Sequence, residues 1–378
     1  MRIVSFILAL ILAGCSSSSR REDAQTKSAM PAPAIEVVRR QQTFVIIENR
    51  DLPPGTPDPG LMAAARSILN SAGLKEDAGS AFRIQMNWRG EAIPHDYRTY
   101  VGGRSMLSRY TGAVVSGSIL FSESGREFYR KDFSVPIRPM LDFQFHHDEH
   151  MKNPAEAPFR AGIFAYETPG EGPVAALARA IGSAHGEPVA RWALRQPEDS
   201  LKYAGAEMAG QQRIASLRPI LENLARGSNM MFPDPAVAAA EALGYLPRDT
   251  GTIALLKQLA RSTSMAWVAA FTSLVNLRLD EQTPELIDIM VSARVLLPLE
   301  GLALLEQARL ACTAACKQPL SAYRAKLAER LAEIAASGQD RPLYRPQASR
   351  RQKYTTEGEV LKQHRDLVDE ILLRFARG

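Results

Sequence analysis

Apolar residues follow two different periods along this chain. Gln42 to Glu48 is a short β-branched block, and Ala81 to Trp88 alternates, with Phe82, Ile84, Met86 and Trp88 on one side. Between them, Leu61, Ala65, Ile68 and Leu69 share one helical face, and Gly73 stands where a helix C′ residue is expected. Thr111 to Glu123 and Arg126 to Ile137 read as strands, and Ser124-Gly125 reads as their hairpin turn. Pro173 to Leu194 returns to helical spacing through Val174, Leu177, Ile181, Val189 and Trp192. The predicted order is β-α-β-β-β-α. That order describes an α+β sandwich of a mainly antiparallel sheet with helices on one face.

From 201 to 337 strand signals nearly vanish and helical spacing dominates. Asp234-Pro-Ala-Val-Ala-Ala-Ala-Glu-Ala-Leu-Gly precedes Thr250-Gly-Thr-Ile-Ala-Leu-Leu-Lys-Gln-Leu-Ala-Arg. Met265 to Leu277 and Thr283 to Met290 repeat that plan, with Val237 and Val268 31 residues apart and Leu259 and Met290 also 31 apart. This resembles the HEAT-like repeat, which implies an α-solenoid of stacked helix pairs. Alanines let such helices approach closely while leucines fill the gaps. Two positions depart from the repeat pattern: Ala238 stands where Arg is usual, and the second unit lacks the Ala-Leu-Gly ending. Helices around 293–310 and 319–336 would extend the array. Residues 339–354 are basic and contain proline, as an exposed linker would, and Glu359 to Phe375 forms one last amphipathic helix.

Composition adds little to this: 378 residues, 46% hydrophobic and 23% charged, describe a folded chain of about two domains, and a net charge of +5 selects no partner. The first residues are more informative. Arg2 and the apolar run Ile3 to Ala13 form a leader that reaches about half of a ~30 Å hydrocarbon core, too short to span it. Leu12-Ala13-Gly14-Cys15 resembles the bacterial lipobox, which implies lipidation of Cys15 as the first mature residue. The following residue is Ser16 and not Asp, which in that family implies sorting to the outer membrane. The expected plan is a signal peptide at 1–14, a lipidated tether at 15–35, the α+β domain at 36–200, the solenoid at 201–337, and the linker with its C-terminal helix at 338–378. In an oxidising periplasm Cys312 and Cys316 pair as a disulfide, favoured by a distorted turn because a regular helix holds such residues near the upper limit of Cα separation.

Candidate chemistry is sparse. His146, His147 and His150 fall within five residues and offer metal ligands, without the H-E-x-x-H pattern of a metalloprotease. Tyr97, Tyr100, Arg104 and Arg109 interleave aromatic and cationic groups, as on surfaces that stack on sugars. No nucleophile motif, phosphate loop or cofactor signature is present. The expected protein is a lipid-anchored, non-enzymatic envelope scaffold. It would bind an envelope protein along the solenoid and reach the membrane through its anchor, with no nucleic-acid partner. Peptidoglycan binding and metal-dependent hydrolysis are the alternatives.

Overall fold

The computed structural model describes residues 30–56, 60–101, 104–137, 159, 162–163, 172–227, 234–293, 296–343 and 355–377. Contacts divide the chain into two compact units: 29–220 with 229–239, and 221–228 with 240–378, beside the first 28 residues.

The first unit holds a mixed five-stranded sheet. Its elements are α1 (Ala32–Arg39), β1 (Thr43–Asp51), α2 (Leu61–Ser71), β2 (Lys75–Glu76), β3 (Phe82–Val101), β4 (Arg104–Glu123), β5 (Arg126–Ile137), α3 (Pro173–His185), α4 (Glu187–Leu194) and α5 (Asp199–Gln211). The strand order is β2-β1-β3-β4-β5. β1 runs parallel to both neighbours, whereas β3, β4 and β5 are antiparallel. The sheet is thus mixed, with the antiparallel pairing expected for most of it and parallel pairing confined to β1 and its two neighbours. The chain returns from β1 through α2, the long crossover that parallel pairing requires. Helix α1 overlaps the end of the span expected as tether (15–35), with Met30, Ala34 and Val38 at 3%, 4% and 0% exposure. Pro31 precedes the first helical turn of α1, a position that leaves no lost hydrogen bond.

One face of the sheet is apolar and covered. Phe44 and Ile46, then Phe82, Ile84, Met86 and Trp88, then Val115, Ile119 and Phe121, then Phe133 and Val135 are buried at alternate positions. Helix α3 packs on β4 and β5, and α1, α2, α4 and α5 pack on α3. The hairpin joining β4 and β5 turns at Ser124 and Gly125, both with positive φ (50° and 82°), as a type I′ turn needs. Gly117 faces Trp88 across β3 and β4, and a Cβ there would fall 2.0 Å from the Asn87 carbonyl oxygen. Gly117→Val is therefore expected to cost about 3 kcal/mol, read as a lower urea midpoint. An unchanged midpoint would show that the strands can part without loss.

The second unit is helical: α6 (Arg218–Arg226) and α7 (Pro235–Leu243) each contribute part of their length, and α8 (Thr250–Ala260), α9 (Trp267–Asn276), α10 (Thr283–Ser292), α11 (Pro298–Ala311), α12 (Lys317–Ser337) and α13 (Glu357–Arg377) lie wholly within it. Local chemistry sets its helix ends. Asp249 accepts the Thr252 amide at 2.9 Å as the N-cap of α8. Lys326 Nζ reaches the Val291 carbonyl at 2.9 Å and that of Ala293, closing the C-terminus of α10. A two-stranded ladder, β6 (Pro342–Leu343) with β7 (Thr355–Thr356), leads into α13.

Helix α13 packs on α11 and α12, burying Val360, Leu361, Val368 and Ile371 completely. Asp340 accepts the Gly358 amide at 2.8 Å. The Glu357 carboxylate, 4% exposed, accepts from Arg330 at 3.1 and 3.2 Å and stands 3.4 Å from Arg341.

Candidate functional site

Of the residues singled out from sequence, Cys15 and the His146, His147, His150 cluster lie outside the described residues. Cys312 and Cys316 stand at disulfide distance with their Cα atoms 5.8 Å apart. The turn is distorted as anticipated: Cys312 leaves the helix at φ −67°, ψ 130°, and Ala314–Cys316 forms a single 3-10 turn before α12.

Tyr97 and Tyr100 lie on β3, and Arg104 and Arg109 on β4. Beyond Asp51↔Arg89 on one side and Ala113↔Ile137 on the other, β3 and β4 continue as a ribbon paired only with each other among the described residues. Eight pairs, from Pro94↔Thr111 to Val101↔Arg104, extend it by about 27 Å. In the backbone register Tyr97 pairs with Ser108, Tyr100 with Ser105, Arg104 with Val101 and Arg109 with Asp96.

The uncovered sheet face offers a site that sequence reading missed. Asn87 lies at its centre. Its Oδ1 accepts from Asn49 Nδ2 at 2.8 Å and Gln85 Nε2 at 2.9 Å, and its Nδ2 donates to Ser118 Oγ at 3.4 Å. Beside this row, Arg89 Nε donates to Ser116 Oγ at 3.4 Å, while on the opposite, covered face Trp88 Nε1 donates to Glu48 Oε1 at 3.0 Å at the sheet's end. A cleft of about 680 Å³ opens here, lined by Glu48, Arg50, Asp51, Trp88, Arg89 and Ser116 among others. Amides, hydroxyls and an exposed guanidinium suit a hydroxylated ligand. The only sequence signal was the polar half of the β3 alternation, which also fits a plain solvated face.

In the helical unit the buried polar centre is His364, fully buried on α13. Its Nε2 lies 2.6 Å from the Pro298 carbonyl, which can only accept, so Nε2 carries the proton. Nδ1 then accepts from the Tyr323 hydroxyl at 2.8 Å. Burial pulls the His364 pKa down to about 4 and pushes the Tyr323 phenol up. Both groups stay neutral, and the arrangement orients α13. Among the described residues no group of three or more His, Cys, Asp or Glu side chains is placed to hold a metal ion, and no helix is long and apolar enough to cross a membrane.

Comparison with protein-family models, with curated proteins and with solved structures finds no match for this chain. Its class is therefore stated from the fold: an N-terminal unit built on a mixed five-stranded sheet, and a helical C-terminal half.

Proposed function

We propose that the chain is a lipid-anchored scaffold of the bacterial cell envelope, without enzymatic activity, whose C-terminal half is a HEAT-like solenoid that holds an envelope protein. Cys15 supplies the anchor in this reading and places the protein at the outer membrane, facing the periplasm.

The observation that carries the solenoid is the spacing of contacts between helices. Thr252 bonds Glu222 thirty residues away, and Ser273 bonds the Ala240 carbonyl thirty-three away. Arg248 reaches the Leu277 carbonyl at a separation of 29, Gln307 reaches Asp280 at 27, and Lys326 reaches the Val291 carbonyl at 35. Lys257 and Glu285, 28 apart, form an ion pair. Helix packing follows the same rule: α8 on α9, α9 on α11, α10 on α11 and α12, then α11 and α12 on α13. Recurrent contacts at about one repeat are what a stacked array produces, and such an array leaves a long lateral surface for a partner; the packing of α13 back on α11 is the departure from that spacing.

A multiply acylated form and an unacylated one should separate sharply between membrane and soluble fractions, since more than one chain gives stable anchoring. Cys15→Ala is expected to move the protein from the membrane pellet to the soluble or leader-retaining fraction and to abolish labelling by a clickable fatty acid. Undiminished labelling would remove the anchor from this account.

A second reading, recognition of peptidoglycan or another glycan, is favoured by the polar cleft around Asn87 and Arg89. Its test is retention on insoluble cell-wall sacculi, lost on Asn87→Ala with Arg89→Ala. The hydrolase reading rests on His146, His147 and His150 alone, and stoichiometric metal in the purified protein is what would support it.

A further inference from the structure

We propose that the groove between α11 and α13 is the docking surface of the helical unit, and that its occupant is an amphipathic helix of a partner protein, with leucine-type anchors on one face and lysines or arginines flanking them. The inference rests on the scaffold reading above for its setting and adds to it the place and the chemistry of the contact.

Two helices running the same way build the groove. The Pro298 carbonyl at the start of α11 accepts from His364 on α13. One and two turns further along α11, Leu302 and Glu306 line a cavity of about 360 Å³ together with Gln363, Asp366, Leu367 and Glu370 of α13. Leu302 and Leu367 are half-buried, whereas Glu306, Asp366 and Glu370 are exposed, so apolar surface lies deeper than charge.

The apolar track continues past the cavity. Leu310 follows Leu302 and Glu306 in one i, i+4 row of α11, and Leu373 follows Asp366 and Glu370 on one face of α13. At 83% and 54% exposure, they are the most exposed large apolar side chains of this unit among the described residues. From Leu302 to Leu310 the row runs about 12 Å, the length of two turns of a helix laid along it.

Charge selects the occupant. The chain carries a net charge of +5, yet every charged residue lining the groove is acidic. Asp366 and Glu370 are like charges one turn apart, an arrangement that works against a helix in isolation. Arg309 stands 3.8 Å from Glu306 and Arg365 3.2 Å from Asp366, at exposed positions where ion pairs hold little, and Glu370 has no such partner among the described residues. Cationic flanks on a partner helix would relieve all three carboxylates. A second copy of this chain fits less well, because a symmetric contact would set the same acids against one another.

Peptide binding tests this on the mature chain, made without its leader and with Cys15→Ser so that no acyl chain is present. The probe is a fluorescent helical peptide with leucines at i, i+4 and i+7 and lysines on either side of them. Its control carries glutamates in place of the lysines. The lysine peptide is expected to bind, the glutamate peptide to stay free, and the affinity to fall as salt rises. Glu306→Lys, Asp366→Lys and Glu370→Lys together should weaken the lysine peptide by about thirtyfold and confer binding of the glutamate peptide. A misfolded variant could not exchange one preference for the other. Reversing two exposed acids outside the groove, Asp288→Lys with Glu329→Lys, should leave the parent affinity in place. Leu310→Ser with Leu373→Ser should weaken the lysine peptide at an unchanged melting temperature. Failure of the parent to bind the lysine peptide, equal binding of both peptides, or parent affinity in the triple Lys variant would overturn the proposal. So would a parent dimer that Leu310→Ser with Leu373→Ser dissociates, which would assign the groove to a second copy. The scaffold reading fails separately, if no discrete adduct forms in cells while the peptide still binds the purified chain.

Discussion

Arg330→Met should loosen α13 from the helical unit, with amides of residues 357–377 exchanging about thirtyfold faster than in the parent, or about 2 kcal/mol less protection. The cause is the Glu357 carboxylate, 4% exposed, which loses two hydrogen bonds and its nearest cation. A fully enclosed pair would cost more when broken. Here Arg330 is 39% exposed and Arg341 remains 3.4 Å from the carboxylate, so part of the charge stays compensated. The double variant Arg330→Met with Glu357→Leu removes the stranded charge and should recover much of the protection. Exchange rates unchanged in the single variant would mean that apolar burial of Val360, Leu361, Val368 and Ile371 alone holds the helix.

His364→Phe is expected to cost about 3 kcal/mol at pH 7, because the Tyr323 hydroxyl and the Pro298 carbonyl both lose their partner in a dry site. The pH dependence is more diagnostic than the cost. Burial lowers the His364 pKa to about 4, below the ordinary value of 6.5. Stability from the neutral ring is therefore complete above pH 6.5 and is lost as pH falls through 4, by about 3 kcal/mol over that window. Glu241 acts in the opposite direction. Burial raises its carboxyl to about 8, so it favours the folded state more as pH falls from 8 toward 4.5. Glu241 is common to parent and variant and cancels in their difference. Urea unfolding should thus show a gap between parent and His364→Phe that is wide at pH 7 and nearly closed at pH 4. Parallel curves would mean that His364 is charged or solvated in the folded protein.

Legibility from sequence tracked how one-sided each element's environment is. Phe82, Ile84, Met86 and Trp88 could be read because one face of β3 is buried and the other is open, and Ser124-Gly125 because both turn residues need positive φ. The direction of β1 was hidden, since a block such as Phe44-Val-Ile-Ile reads alike in parallel and antiparallel pairing. The crossover through α2 decides it. The ribbon was hidden for the converse reason: Tyr, Arg, Ser and Thr alternate with no apolar period, and pairing there continues a ladder begun farther along. Residues 30–35 read as tether because Pro31-Ala-Pro-Ala carries two prolines and α1 is only eight residues long. His364 and Tyr323 are 41 residues apart, and only tertiary packing brings them together. The cleft at Asn87 gathers β1, β3 and β4, so no single segment announces it.

Site-specific photo-crosslinking in living cells tests the scaffold most directly. Leu310 and Leu373, 83% and 54% exposed on the helical unit, are suitable sites for the crosslinker, with Ile47 on the sheet unit as reference. The account predicts one discrete adduct, formed from helical-unit positions, absent from Ile47, and retained when the sheet-face residues Asn87 and Arg89 are replaced. Adducts only to abundant lipoproteins, or the same adducts from all three positions, would contradict it.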